Sequence, residues 1–234
     1  MKTCIIIPAR LASARLKKKM LANIHGLPMV IHTMKRGLDA NVGPVYIATP
    51  DDEIESTVID YCGSPLKVID GDTGTDRVYN AVKQYDLDFD IIVNLQGDCP
   101  VIDPKTIREC VVGLVTNPGF DISTPVAPIK KEDIDRPSVV KSYVAEDGEL
   151  LDCNRYHERD ETPWHHVGLY VYRKKSLERF CNLRQSKREL DQSLEQLRAL
   201  DNGMKMLAVK VDSHTISVDT QEDLDRARDF LKNE

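Results

Sequence analysis

"DIIVNLQGD", residues 90–98, is the stretch on which the fold turns. Its apolar residues run almost unbroken up to a Gly-Asp, as a strand buried on both faces requires; a half-solvated strand would alternate. Three similar runs precede it: "TCIII" at 3–7, "PVYIAT" at 44–49 and "LKVID" at 66–70. Between them lie helical spacings. "LPMVIHTMKRGLDA" (27–40) carries Pro28 in its first turn, and "DDEIESTVIDYC" (51–62) places acids in the first turn, where the macrodipole favours them. "DRVYNAVKQY" (76–85) follows the Gly-containing loop "GDTGT". Strands alternating with helices predict an α/β protein with a parallel sheet.

After residue 120 the pattern changes. "DISTPVAPIKK" (121–131) and "SVVKSYVAEDGELL" (138–151) read as antiparallel strands with a turn at Asp147-Gly148. "HHVGLYVYRK" (165–174) reads as another strand, and helices are expected around 186–200 and 221–231. With no linker, repeat or low-complexity segment, the second half is expected to pack on the first as a lid or substrate lobe.

A formal net charge of −6 argues against general nucleic-acid binding, which needs a broad basic surface to release counterions. The 41% hydrophobic content supplies a sizeable core, yet no apolar stretch is long enough to cross a bilayer. Pro8 and Arg10 interrupt what would be the apolar segment of a secretory signal, so a cytoplasmic protein is expected. The six cysteines include no CxxC pair and read as free, mostly buried thiols.

Against this acidic balance, the first 38 residues hold eight Lys and Arg and no acid. Ligands of parallel sheets bind beyond the carboxyl ends of the strands, and three loops fall there. In the first, Arg10, Arg15 and Lys19 flank the small residues "LASA", which let backbone N–H groups approach a ligand. Spacing alone leaves a phosphate cradle and an ordinary solvated loop both open; Lys17 and Lys18 are read as solvated. Neither GxxxxGK[ST] nor GxGxxG occurs, which counts against a Walker A site and a dinucleotide-dependent dehydrogenase. "GDTGTDR" offers Gly71, Thr73, Gly74, Thr75 and Arg77 to a base or ribose, or simply caps a helix. In "QGDCP", Asp98 stands at the sheet edge, suited to holding Mg²⁺ against phosphates or to closing a turn. Asp219, in "ISVDTQEDLDRA", is expected at the end of a short strand, as a second metal carboxylate or as a helix cap. His165 and His166 are adjacent on a strand and face opposite ways, so they are no metal pair.

Taken together, "IIIPARLASARL", "TGTDR", "NLQGDCP", "HHVGLYVYR", "LEQLRALDNG" and "VDTQEDL" resemble, in order and over nearly the whole chain, the 3-deoxy-manno-octulosonate (Kdo) cytidylyltransferases. The resemblance implies a Rossmann-like three-layer nucleotidyltransferase fold with a mostly parallel central sheet and a smaller antiparallel lobe. It implies one domain: a CTP-binding half at 1–120, and an acceptor-binding and dimerisation half at 121–234. It also implies transfer of CMP from CTP to an acidic sugar, release of pyrophosphate, an Mg²⁺ cofactor and a homodimer. Arg10, Arg15 and Lys19 would then hold the triphosphate, with Arg15 and Lys19 stabilising the departing pyrophosphate. Pro8, Ala9, Thr73 and Gly74 would surround the cytosine and ribose, and Asp98 and Asp219 would coordinate Mg²⁺. Gln96, His166, Tyr170, Glu195 and Gln196 match positions on the acceptor side.

The chain departs from the family pattern in places. Cys99 stands where a Glu is usual, Pro50 replaces the acid of "ATD" with Asp51 beside it, and "RLPGKP" has become "RLKKKM". The expected "SRxxIP" region reads "CNRYHERDETPW", His165 replaces an Arg, and "DQS" replaces the expected "IE". The changes from residue 153 onward gather on the acceptor side. They leave open another acidic acceptor such as phosphonoformate, for which Arg155, His157, Arg159 and His165 could form a basic pocket. A catalytically silent nucleotide-binding protein is the third reading.

Overall fold

The computed structural model describes residues 1–13, 15–157, 159–212 and 215–232. The parallel half is built from β1 (Thr3–Pro8), α1 (Met29–Ala40), β4 (Val45–Thr49), α2 (Asp52–Asp60), β5 (Pro65–Lys67), α3 (Gly74–Gln84) and β6 (Ile91–Leu95). A small hairpin of β2 (Asn23–Ile24) and β3 (Leu27–Pro28) precedes α1. The second half adds α4 (Pro104–Thr116), β7 (Ile122–Pro128), β8 (Lys141–Val144), β9 (Leu150–Asn154), β10 (Trp164–His166) and β11 (Leu169–Arg173). It closes with α5 (Lys174–Asn182), α6 (Lys187–Gln192), α7 (Gln196–Asp201), β12 (Met206–Lys210) and α8 (Gln221–Leu231).

One sheet runs through both halves in the order β5-β4-β1-β6-β11-β7-β10-β8-β9, with β12 also on β7. β5, β4, β1 and β6 are parallel, and the antiparallel strands continue the sheet from β6 through β11. Ile5 and Ile7 face a core shared with α1, α2, α4 and α8; Cys4 and Ile6 face the opposite core, under α3, α5 and α7. This double burial is why the strand reads as unbroken "CIII". Each of those isoleucines is fully buried and contributes about 1.5–3 kcal/mol.

From β1 the chain steps outward to β4 and β5, then returns to β6 on the other flank of β1. That reversal opens a crevice at the carboxyl ends of β1 and β6. A second opening comes from a broken strand. The run expected as one strand at 165–174 pairs along β7 as two pieces, interrupted at Val167–Gly168. On its other edge β11 lies against β6 while β10 lies against β8, so the sheet forks just beyond Leu95.

Other elements differ from expectation locally. The helix expected from residue 27 begins at Met29 with Pro28 as its N-cap, because Leu27 and Pro28 are used in the hairpin. The helix expected from residue 76 begins at Gly74, with Thr73 and Asp76 closing a capping box. The helix expected over 186–200 splits at Ser193, a left-handed residue (φ 53°). The short strand expected before Asp219 does not form a ladder; Val218 instead donates one hydrogen bond to the Asp98 carbonyl (2.9 Å). Helices α4 and α5 and strand β12 were not anticipated.

Candidate active site

The first cleft, about 260 Å³, lies at the topological reversal, between the segment following β1 and the turn following β6. Pro8, Arg10, Arg15, Lys19, Arg77 and Asp98 are among its walls, with Asp219 arriving from the C-terminal segment. Backbones approach closely here: a Cβ on Gly97 would lie 2.9 Å from the Pro8 carbonyl oxygen and 2.8 Å from Met20 Sδ. Only glycine allows β6 to turn so near β1.

Local contacts shape the first loop. The Asp51 carboxylate accepts a hydrogen bond from Leu11 N–H (2.7 Å) and so pins the loop to the end of β4. Pro50 therefore displaces the expected acid by one position, and Asp51 supplies an anchoring carboxylate beside it. "RLKKKM" keeps a turn without Pro-Gly: Lys18 adopts the left-handed conformation (φ 51°, ψ 38°), the conformation for which glycine is the usual choice. Its ammonium pairs with Glu53 (2.7 Å) and stays exposed, in keeping with the reading of Lys18 as solvated. Ala14, in the same loop, lies outside the described residues.

That turn sends Lys19 inward. Its Nζ lies 2.8 Å from Asp98 Oδ2 and 3.0 Å from Asp219 Oδ1, drawing together carboxylates separated by 121 positions in the chain. Arg15 reaches the other oxygen of Asp219 at 3.0 Å. Burial alone would lower the Lys19 pKa, but the attraction of Asp98 and Asp219 outweighs it and holds the value above that of an ordinary lysine. A second charge group sits across the cleft, where Asp70 accepts from Arg77 Nε (2.7 Å) and lies 3.9 Å from Arg10. Burial would raise the Asp70 pKa, yet Arg77, the Gly71 N–H and Arg10 together keep it below the carboxylate range.

Not every expected contact is available. Gly74 and Pro8 line the cleft, but the Ala9 side chain is buried in the core. The Thr73 hydroxyl is engaged in the α3 capping box, donating to Asp76 Oδ2 (2.9 Å). Cys99 is fully buried against Asp98 and Gly168. Burial, then the Asp98 charge, raises its pKa well above the thiol range, so it is a neutral packing residue.

The second cleft, about 210 Å³, opens where the sheet forks and shares Gln96, Asp98 and Asp219 with the first. His166, Tyr170, Glu195 and Gln196 all line it. His166 Nε2 lies 3.0 Å from Thr124 Oγ1, and burial followed by the His165 charge lowers its pKa to about 3. Tyr170 donates to Gln196 Oε1 (3.1 Å), while buried Gln196 Nε2 has no hydrogen-bond partner among the described residues. Glu195 caps the start of α3, accepting from Gly74 N, Thr75 N and Thr75 Oγ1 (3.2, 3.3 and 2.5 Å). His165 also lines this cleft.

Of the four groups considered as a basic pocket, Arg155 and His165 reach the second cleft. His157 instead meets Tyr143 (3.2 Å), and Arg159 pairs with Asp152 (2.7 Å). Arg155 is itself tied to three carbonyls, those of Gln192, Pro137 and Ser193. Ser138 and Ser217 are lining residues that the sequence reading missed, since a lone serine in a loop carries no signal of its own.

Two linked clefts, one cationic and one largely neutral, meeting at a carboxylate pair on a Rossmann-like sheet, define a nucleotidyltransferase arrangement. A family model described as "Cytidylyltransferase" matches residues 4–206. The chain is 42% identical to the 3-deoxy-manno-octulosonate cytidylyltransferase of Paramagnetospirillum magneticum, over 97% of each chain. It is 42% identical to that of Rhodospirillum centenum, over 97% of this chain and 92% of the relative. A solved CMP:2-keto-3-deoxy-manno-octonic acid synthetase complexed with CTP matches with a TM-score of 0.92 and 31% identity, covering 100% of this chain and 99% of that one. A glucose-1-phosphate thymidylyltransferase structure from Bacillus anthracis (TM-score 0.72, 15% identity) shares the fold. The chain belongs to the 3-deoxy-manno-octulosonate cytidylyltransferase family.

Proposed function

We propose that the enzyme transfers CMP from CTP to 3-deoxy-manno-octulosonate, binding the nucleotide in the first cleft and the sugar acid in the second. The observation that carries this reading is the junction: Gln96, Asp98 and Asp219 belong to both clefts, so a phosphate in one lies next to a hydroxyl in the other. An acceptor hydroxyl oxygen attacks the α-phosphorus of CTP, a new P–O bond forms as the hydroxyl proton is lost to solvent, and the bond to the β-phosphate breaks as pyrophosphate leaves. Such chemistry needs alignment and charge neutralisation rather than an enzyme nucleophile. Arg10, Arg15 and Lys19 supply cations to the triphosphate and to the departing pyrophosphate. His166, neutral across the physiological range, offers the acceptor a hydrogen-bonding group and no charge.

The donor set fits Mg²⁺. Asp98 and Asp219 present hard oxygen ligands that already converge on one cation, the Lys19 ammonium. Among the described residues no three or more His, Cys, Asp or Glu side chains are placed to hold a metal ion by themselves, so phosphates and water would complete the coordination, as is usual for Mg²⁺. The ion, when bound, would neutralise phosphate charge. A cytoplasmic homodimer belongs to the same reading, and sedimentation checks the oligomeric state.

The test is pyrophosphate release from CTP and Mg²⁺ against a panel of Kdo, other sugar acids and phosphonoformate. Turnover is expected with Kdo. CTP binding without turnover on Kdo, or faster turnover on phosphonoformate, would overturn the assignment.

A further inference from the structure

Lys19 is placed oddly for a residue whose task is to hold a triphosphate. Its ammonium does not project into open cleft but lies between Asp98 and Asp219, with its side chain only 10% exposed. Arg15 completes the group, so two carboxylates face two cations and their charge is balanced. A divalent cation entering between these carboxylates would meet the Lys19 ammonium at the very oxygens it needs, with Coulomb repulsion strengthened by partial burial. The lysine stem is long and flexible, and Lys19 also lines the first cleft, where a polyanion offers it a different partner.

We propose that Lys19 is an internal counter-ion: it keeps the Asp98–Asp219 pair closed to a divalent cation until a nucleotide triphosphate draws the ammonium away. Metal and nucleotide therefore enter as a coupled pair, and each raises the affinity of the other by the same factor. The carboxylates stay converged while the site is empty, because their mutual repulsion is cancelled from within. This inference rests on the assignment of Asp98 and Asp219 as metal ligands.

Phosphate oxygens would contribute metal affinity in any case, so the discriminating quantity is metal binding without nucleotide. Mn²⁺ binding to the full chain is measured by electron paramagnetic resonance or calorimetry, with and without CTP and with no acceptor present. Wild-type protein is expected to bind Mn²⁺ weakly alone and at least about tenfold more tightly with CTP. Lys19→Met is expected to bind Mn²⁺ alone on the order of tenfold more tightly than wild type, with a smaller gain from CTP. Lys19→Gln provides a second reading should the methionine variant fold poorly. Arg15→Met, which removes a mostly exposed partner of Asp219 alone, is expected to gain less. Lys19 variants that bind Mn²⁺ alone no better than wild type would overturn the proposal while leaving the metal assignment intact. Wild type that fails to bind Mn²⁺ even with CTP would overturn the metal assignment, and this inference with it.

Discussion

The two clefts handle polar groups in opposite ways. Around the first, charged side chains neutralise one another: Lys19 and Arg15 against Asp98 and Asp219, Arg10 and Arg77 against Asp70. In each of these contacts a cation faces a carboxylate rather than a backbone group. Around the second, polar groups are fixed to backbone or to buried neutral partners. Arg155 is held by three carbonyls, His166 by Thr124 and Tyr170 by Gln196. Under the proposed assignment, the first arrangement suits a polyanion and the second suits a hydroxylated acid that must be oriented.

The largest effect should come from the junction the clefts share. Asp98→Asn keeps the shape but removes a charge that balances Lys19 and would hold the metal. The expected loss in kcat/KM is about 10³-fold, read from pyrophosphate release with saturating Mg²⁺. A loss of less than about threefold would remove Asp98 from the reaction.

Away from both clefts, in the second half of the chain, the strongest break is structural. Arg198 and Glu189 are both almost fully buried, their closest approach is 2.6 Å, and the guanidinium also lies over Phe180 at 4.6 Å. Arg198→Met strands the charge of Glu189, whose carboxylate keeps the neutral donors Gln185 Nε2 (3.1 Å) and Ser186 N–H (3.3 Å), and should cost about 3–5 kcal/mol in denaturant unfolding. Adding Glu189→Leu should recover part of that, because it removes the stranded charge while giving up the Glu189 side of the α6 capping box. If the double variant were no more stable than the single one, the cost would lie in packing rather than in charge.

These two targets were unequally legible in the sequence. Asp98 could be found because a doubly buried strand ends at it, and that pattern survives without a structure. The roles of Glu189 and Glu195 could not. Glu195 turns to cap α3, 120 residues earlier in the chain, and nothing in "DQSLEQL" marks the break at Ser193 that allows it. Thr73 was open to two readings for a related reason. "TGTD" suits a ligand loop and a capping box equally, and the nearby Asp76 decided for the cap. The parallel half was readable from its apolar runs, whereas the fork at Val167–Gly168 depends on β6 and β8 sharing an edge, which no local pattern records. Helix α4 was missed although Asp103-Pro104 is a sound helix start.

A smaller and pH-dependent effect separates the neutral side from the charged one. The His166 pKa is about 3 in the folded protein against a reference of 6.5, so the unfolded chain binds a proton over a range where the folded chain does not. Stability from this residue is complete above pH 6.5 and is lost as the pH falls from there towards 3. Between pH 6.5 and 5 the loss should approach about 2 kcal/mol. Stability curves of wild type and His166→Gln should therefore converge as the pH falls through that window. Parallel curves would mean that folding does not lower the His166 pKa.

The smallest effect tests the turn that delivers Lys19. Lys18 occupies a left-handed conformation that costs a residue with a Cβ about 1–2 kcal/mol, while its exposed pairing with Glu53 returns at most about 1 kcal/mol. Lys18→Gly removes both terms and adds the unfolded-state entropy of glycine, about 0.5–1 kcal/mol against folding. The net change at low salt should therefore lie within about 1 kcal/mol of zero. In about 1 M NaCl the ion pair of the wild type is screened, and the variant should gain by a few tenths of a kcal/mol relative to it. The KM for CTP should stay unchanged, because Lys18 holds the backbone turn and Lys19 makes the contact with the carboxylates. A rise in KM with unchanged stability would instead place the Lys18 ammonium on the nucleotide, and the exchangeable charges of the first cleft would then extend one residue beyond the cradle.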